Sequence, residues 1–351
     1  MTASTQIPTI AETRAIFVDI ENKGLAILGP CPPELKESTI DIPLADGSVS
    51  KTIIVRPNPS STPTSAPLVV LFHGGHYSYS TPAMALTSAR GFAAKLGAVV
   101  ALPSYKLTPE HPFPAPQQSG WEAAAWLSGA NGANINKLVL KDENVTVDLA
   151  LGFILGGISA GSGIAAAIAG VAAAVRAGEE GRALIKGLPD ITSPITGLYL
   201  AAPHLVNEEM LPSELAYILR SRVENASAPV LDIGLVRSME ERLAADYSSP
   251  WFSPLNLPKT SLSSGTKSYF PAKVYLQCGG LDVLRDDAVV FAKALRDGKV
   301  AESRLDKIDD MGHVAWLTYP FPDCHRDDVK EKSLNGMAWM LEREWEGDMP
   351  W

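Results

Sequence analysis

The chain has 351 residues, with 30 Lys and Arg against 39 Asp and Glu, for a formal charge of −9 at pH 7. That length fits about two domains, or one α/β domain carrying insertions. A hydrophobic fraction of 46% and a charged fraction of 20% describe a globular protein with a large core and exclude a disordered chain. There is no basic excess and no Lys/Arg-rich run, so no nucleic-acid partner is expected.

One stretch departs from this picture. Residues 149–175 carry no charge and lie between Asp148 and Arg176. By length they are a transmembrane candidate. Residues 1–10 lack a basic start followed by an apolar run, so no secretory signal is read there and a cytoplasmic location is expected. Cys31, Cys278 and Cys324 are widely spaced, with no CxxC or Cys/His ligand pattern. They argue against a disulfide framework and against a zinc site. The Asn144-Val145-Thr146 and Asn225-Ala226-Ser227 sequons are read as chance matches.

In chain order, residues 1–35 read as an N-terminal arm with a helix over 12–22. Residues 38–43 and 50–56 form a hairpin around Ala45-Asp46-Gly47. Strand 68–72, helix 83–95, strand 98–103 and helix 116–128 follow. Further strands are expected at 151–155, 198–202, 274–278 and 303–308, with helices at 285–297 and 329–346. Short apolar strands separated by helices predict a mostly parallel sheet covered on both faces. Residues 206–258 interrupt the alternation with helical patches at 213–223 and 236–245 and a turn-rich 249–254. They are read as a lid that packs with the arm, which leaves 36–205 and 259–351 as the core.

Within the uncharged stretch lies Gly157-Ile158-Ser159-Ala160-Gly161, a GxSxG pattern between an apolar strand and an Ala-rich helix. Strand, tight turn and helix are the context in which this pattern holds a nucleophilic serine. The same glycines argue against a single membrane-spanning helix, because five of them fall between positions 152 and 163. A catalytic serine needs a base, an orienting acid and an oxyanion hole, and in this context acid and base follow the serine in the chain. Asp282 comes just after strand 274–278 and His313 just after strand 303–308. Asp286 and Asp287 are read as caps of the next helix. His325, beside Cys324, is read as a surface residue. His204, after strand 198–202, is a candidate pocket residue. After strand 68–72, His73-Gly74-Gly75-His76 lets the backbone approach a substrate, so Gly74, Gly75 and Ala160 are the expected oxyanion donors.

Together these residues resemble the hormone-sensitive-lipase-like branch of the α/β-hydrolases. Tyr105-Lys106-Leu107-Thr108-Pro109-Glu110-His111-Pro112-Phe113-Pro114-Ala115 is similar to that branch's YRLAPEHPFPA segment. The resemblance covers about residues 65–345. It implies an α/β-hydrolase fold with a helical cap. It also implies hydrolysis of a small carboxylic ester, often with a short acyl chain, without cofactor or metal. By position, Ser159 would be the nucleophile, His313 the general base and then acid, and Asp282 the orienting carboxylate. His73 and Glu110 would be structural.

Three positions depart from the branch's pattern: His76 in place of a third glycine, Ile158 before the serine, and Ser162 where glycine is usual. His76, at the mouth of the oxyanion loop, would reshape the acyl pocket or contact substrate. Together with Trp251 and Phe252 as an aromatic lid, it motivates a second reading, a biosynthetic tailoring step on the same triad. A third reading is a non-catalytic binding protein, because plant gibberellin receptors resemble the family; His313, which they lack, is present here. Family members often pair through the edge strand and last helix. Leu334, Met337 and Leu341 would serve such a homodimer or the helix's own core face equally well.

Overall fold

The apolar runs become strands because each buries side chains on both faces. The computed structural model describes residues 9–58, 64–264 and 267–350. Its main sheet has eight strands: β1 (Leu35–Pro43), β2 (Val49–Pro57), β3 (Leu68–Phe72), β4 (Val99–Pro103), β5 (Phe153–Ile158), β6 (Gly197–Ala201), β7 (Lys273–Gly279) and β8 (Glu302–Ile308). The spatial order is β1-β2-β4-β3-β5-β6-β7-β8. The β1–β2 and β2–β4 pairs are antiparallel and all others parallel. Leu68, Val70 and Phe72 of β3 enter one core, and Val69 and Leu71 enter the other. This period of two is what a sheet buried on both sides requires.

The principal helices are α1 (Ile10–Leu28), α2 (Leu86–Leu96), α3 (Ala115–Leu138), α4 (Ala160–Ala177), α5 (Ser221–Glu224), α6 (Ile233–Leu243), α7 (Arg285–Asp297) and α8 (Asp327–Leu341). Residues of α3, α4 and α7 join the core on one face of the sheet, and those of α2 and α8 the core on the other. Leu334, Met337 and Leu341 are all buried, so α8 uses its apolar positions as a core face. Helix α4 is long and apolar enough to cross a membrane, but 83% of that stretch is buried inside the protein.

Several element boundaries differ from expectation. Residues 149–151 form a 3-10 turn capped by Asp148, whose carboxylate accepts from the Ala150 N–H, so the strand starts at Phe153. It then runs on to Ile158, where Gly156 is needed because a Cβ there would meet Leu71 at 2.7 Å and the Tyr199 carbonyl at 2.9 Å. Helix α1 extends past both expected ends, from a Thr9/Glu12 capping box to Gly29 in the left-handed region. Residues 129–132 leave helical geometry where the expected helix ends at 128, and helix resumes to Leu138. Helix α8 stops at Leu341, because Glu342 turns left-handed, rather than at 346.

The lid region departs most. The expected helix over 213–223 is two short pieces, Ser213–Ala216 and α5. Between them the chain breaks helical geometry so that the Arg220 and Ser221 N–H groups reach the Asp286 carboxylate, each at 2.7 Å. Asp286 and Asp287 are therefore not helix caps; α7 has no side-chain cap. The fully buried Asp287 accepts from the Leu205 and Val206 N–H groups at 2.8 and 2.9 Å and from Arg222 at 2.7 Å. Burying these acids is compensated by the N–H donors and the guanidinium that meet them.

The arm is held as specifically. Arg14 pairs with Glu110 at 2.6 Å and donates to the Ser78 carbonyl at 2.8 Å and the Thr108 carbonyl at 3.0 Å. The buried Glu21 carboxylate accepts from the Thr81 N–H and hydroxyl, both at 2.9 Å. A Cβ on Gly24 would overlap the Thr318 carbonyl, so α1 lies directly on the chain after β8.

Asp287→Ala should cost about 3–5 kcal/mol, because it strands a buried guanidinium and two backbone N–H groups. Urea denaturation checks this, and a loss below about 1 kcal/mol would contradict the anchoring role.

Candidate active site

Ser159 sits between β5 and α4 with φ 54° and ψ −120°, a backbone that residues other than glycine rarely adopt. The flanking glycines make this turn possible. A Cβ on Gly157 would overlap Gly161 and stand 2.5 Å from the Ser162 nitrogen. A Cβ on Gly161 would overlap the Phe72 carbonyl oxygen and stand 2.5 Å from that of His73. The Ser159 N–H donates to the Ala201 carbonyl at 2.9 Å. Ser162 pins the turn further by donating to the Gly157 carbonyl at 2.7 Å and the Ala201 carbonyl at 3.0 Å. The departure from glycine at 162 thus adds a strut to the elbow. The residue type hinted at it, but the two acceptors become visible only in the fold.

The loops after β7 and β8 bring the other two polar groups. They are knitted together by Gly280 N–H to Ile308 carbonyl (2.7 Å) and Leu281 N–H to Met311 carbonyl (2.9 Å). His313 Nδ1 lies 2.8 Å from Asp282 Oδ2, and Nε2 lies 2.9 Å from Ser159 Oγ. Asp282 is fully buried, and its Oδ1 accepts from the Leu284 N–H at 2.8 Å. Its Oδ2 accepts a hydrogen bond from Nδ1–H, which leaves the Nε2 lone pair to face the serine hydroxyl. Asn225 of the insertion donates to the Asp282 carbonyl at 2.8 Å and the Gly280 carbonyl at 3.1 Å. No local pattern marks Asn225, since its partners lie more than fifty positions away.

The oxyanion loop differs from expectation by one residue. The Gly74 N–H points to the Met84 thioether, 3.2 Å away, and so is not a free donor. Gly74 is needed for close approach instead: a Cβ there would stand 3.1 Å from the Ile158 carbonyl and 3.2 Å from Ser159 Cβ. The N–H groups of Gly75, His76 and Ala160 donate to no acceptor among the described residues. Gly75, His76 and Tyr77 are consecutively left-handed, at φ 104°, 53° and 58°. That strain is held by several bonds: Ser78 and Tyr79 N–H to the Gly75 carbonyl, Thr108 N–H to the Tyr77 carbonyl (2.8 Å), and Ser78 Oγ with Thr108 Oγ1 (2.7 Å). Tyr105 stacks on His73 and donates to the His73 carbonyl at 3.0 Å, which supports the loop from behind.

A cavity of about 370 Å³ opens over Ser159 and His313. His76 is in its wall. Trp251, Phe252 and His204 are not among its lining residues, contrary to expectation. Trp251 packs edge-on against Trp121, in the core beside α3. His204 is fully buried between Tyr77 and Phe252, with Glu240 3.6 Å from its Nε2. Their apolar and aromatic character serves packing beneath the lid. The wall comes instead from Phe17 and Ile20 of α1, Val230 and Leu231 of the insertion, and Tyr319 and Phe321 after β8. Only the spacing of three between Phe17 and Ile20 on α1 marks any of these in the sequence. His325 is half-buried and bonds through Nε2 to the Tyr319 carbonyl at 2.7 Å, while its neighbour Cys324 reaches the cavity.

A family model described as alpha/beta hydrolase fold matches residues 69–317. The chain is 25% identical over 340 residues to an AB hydrolase superfamily protein of Schizosaccharomyces pombe, covering 95% of this chain and 88% of that one. It is 27% identical over 271 residues to the esterase LipI of Mycobacterium tuberculosis, covering 76% and 71%. It superimposes on the crystal structure of vibralactone cyclase with a TM-score of 0.77 at 21% identity, covering 97% and 92%; this likeness shows the fold alone.

Two histidines of the oxyanion loop are held neutral. Burial pushes His73 down to about 4 and His76 down to about 3, from an ordinary 6.5. The unfolded chain protonates both near 6.5, so below that pH it binds protons that the folded chain excludes. Stability therefore falls as pH drops from 7 toward 5, above the range where most carboxylates titrate. Urea midpoints across this window should decline, and less steeply in His76→Gln. Equal slopes in the two proteins would contradict the burial argument.

Proposed function

The chain belongs to the hormone-sensitive-lipase-like branch of the α/β-hydrolases and is a serine hydrolase of esterase type; from that premise we propose that it cleaves a small carboxylic ester, with a short acyl chain, through an acyl-enzyme on Ser159. The observation that carries this reading is the unbroken hydrogen-bonded chain from buried Asp282 through His313 to Ser159 on the floor of a largely apolar cavity.

In this reading His313 Nε2 takes the Ser159 proton as Oγ attacks the ester carbonyl. Asp282 holds the ring through Nδ1 and stabilises the imidazolium that forms. The oxyanion is received by the N–H groups of Gly75, His76 and Ala160. A loop donor combined with the N–H after the nucleophile is the arrangement this elbow offers. Ala160 opens α4, so the positive end of the helix faces the developing charge. His313 returns its proton to the leaving alcohol, then activates water to cleave the acyl-enzyme.

Ser159→Ala should abolish hydrolysis of p-nitrophenyl acetate and butyrate, and Asp282→Asn should lower kcat by about 10³–10⁴-fold. A fluorophosphonate should label the wild type and leave Ser159→Ala unmarked. Failure of the wild type to label would overturn the reading in favour of a binding protein on this scaffold.

A further inference from the structure

The cavity contains an imidazole that ester hydrolysis does not use. His76 is 7% exposed and lines the cavity beside Ser159 and His313. Its Nδ1 is enclosed without a partner, and its Nε2 bonds to no described residue. An unpaired buried nitrogen carries a free-energy cost that an apolar residue would avoid, so a hydrogen-bonding partner for this ring would be stabilising. The ring leans on Tyr79, with centroids 5.2 Å apart, and Tyr79 stacks on Phe17 at 4.2 Å. His76 is thus a polar point at one end of an aromatic wall. The same residue carries one of the three unpaired N–H groups that receive the oxyanion in the esterase reading, so its ring adjoins the place where the reacting carbonyl would be held.

We propose that the His76 side chain is a specificity-determining hydrogen-bonding group, and that the cavity selects esters with an aromatic or cyclic body and a hydroxyl within a few bonds of the scissile carbonyl. The inference rests on the esterase reading of Ser159 and names its substrate class. With Nδ1 enclosed, Nε2 is the nitrogen left to meet a substrate, and a hydroxyl can donate to it or accept from it according to the ring's tautomer. A carboxylate would need a cation, and the cavity's lining residues include no Lys or Arg. The hydroxyl can come from the acyl or the alcohol side, and two substrate pairs separate these sources.

The test compares kcat/KM for methyl mandelate against methyl phenylacetate, and for 2-hydroxybenzyl acetate against benzyl acetate. Wild type should favour the hydroxylated member of at least one pair by about tenfold. His76→Phe should bring that ratio close to one, and His76→Gln, which keeps a donor and an acceptor, should retain part of it. His76→Leu serves as a second apolar variant if the phenylalanine is not accommodated, and fluorophosphonate labelling confirms that each variant keeps an assembled site. No preference in the wild type, or a preference that survives in the apolar variants, overturns the proposal. Labelling without turnover of any of the four esters also overturns it and leaves the serine-hydrolase reading standing. Absence of labelling in the wild type removes both.

Discussion

Backbone lies on backbone at Gly161, and the geometry of the site follows from that approach. The first turn of α4 rests against the last carbonyls of β3, so closely that a single Cβ on Gly161 would overlap the Phe72 oxygen. Two consequences come from one contact. The nucleophile is held at the top of the central strand in a backbone conformation it would not adopt alone. The loop that leaves β3, beginning at His73, is forced to start beside the N-terminus of α4. Free N–H groups from two distant segments are thereby set around one point. Gly157 closes the same turn from the other side, and Ser162 ties it to β5 and β6. Two glycines and one hydroxyl create the strain and hold it.

The placement of Asp282 and His313 depends on a second constraint, the burial of carboxylates after the end of β7. Asp282, Asp286 and Asp287 all lie within a few positions of the β7 end, and all three are buried. Each is met by donors, but the donors come from different places. Asp282 faces His313, while Asp286 and Asp287 take N–H groups from the insertion. The loop that places Asp282 against His313 is therefore also the anchor of the 206–258 insertion. Asn225 reinforces this coupling by bonding from the lid to the Asp282 carbonyl.

The meeting of Ser159, Asp282 and His313 was legible from residue types and spacing because each is placed by a local solution to a backbone problem. GxSxG marks a turn that needs two missing side chains, and Asp282 and His313 each follow a strand whose end is fixed by the sheet. The alternation of strands and helices was readable for the same reason, since apolar runs of five or so residues suit strands buried on both faces. What could not be read lies in long-range partnerships. Gly74 looks like a donor until Met84, ten positions on, takes its N–H. Asp286 and Asp287 look like helix caps until the insertion folds back on them. Trp251 and Phe252 look like a lid lining, yet their rings are placed by Trp121, Tyr247 and His204, none of which shares a pattern with them.

This division has a physical basis. Catalysis of acyl transfer needs a few atoms placed within tenths of an ångström, and strained backbone supplies that placement from short segments. The cavity wall, by contrast, is assembled from α1, the insertion and the chain after β8, which meet only in the folded state. Such a wall can change side chain by side chain without disturbing the elbow, because none of its residues supports the turn. His76 is the exception, for its backbone belongs to the strained loop while its ring belongs to the wall. A substitution there acts on both at once.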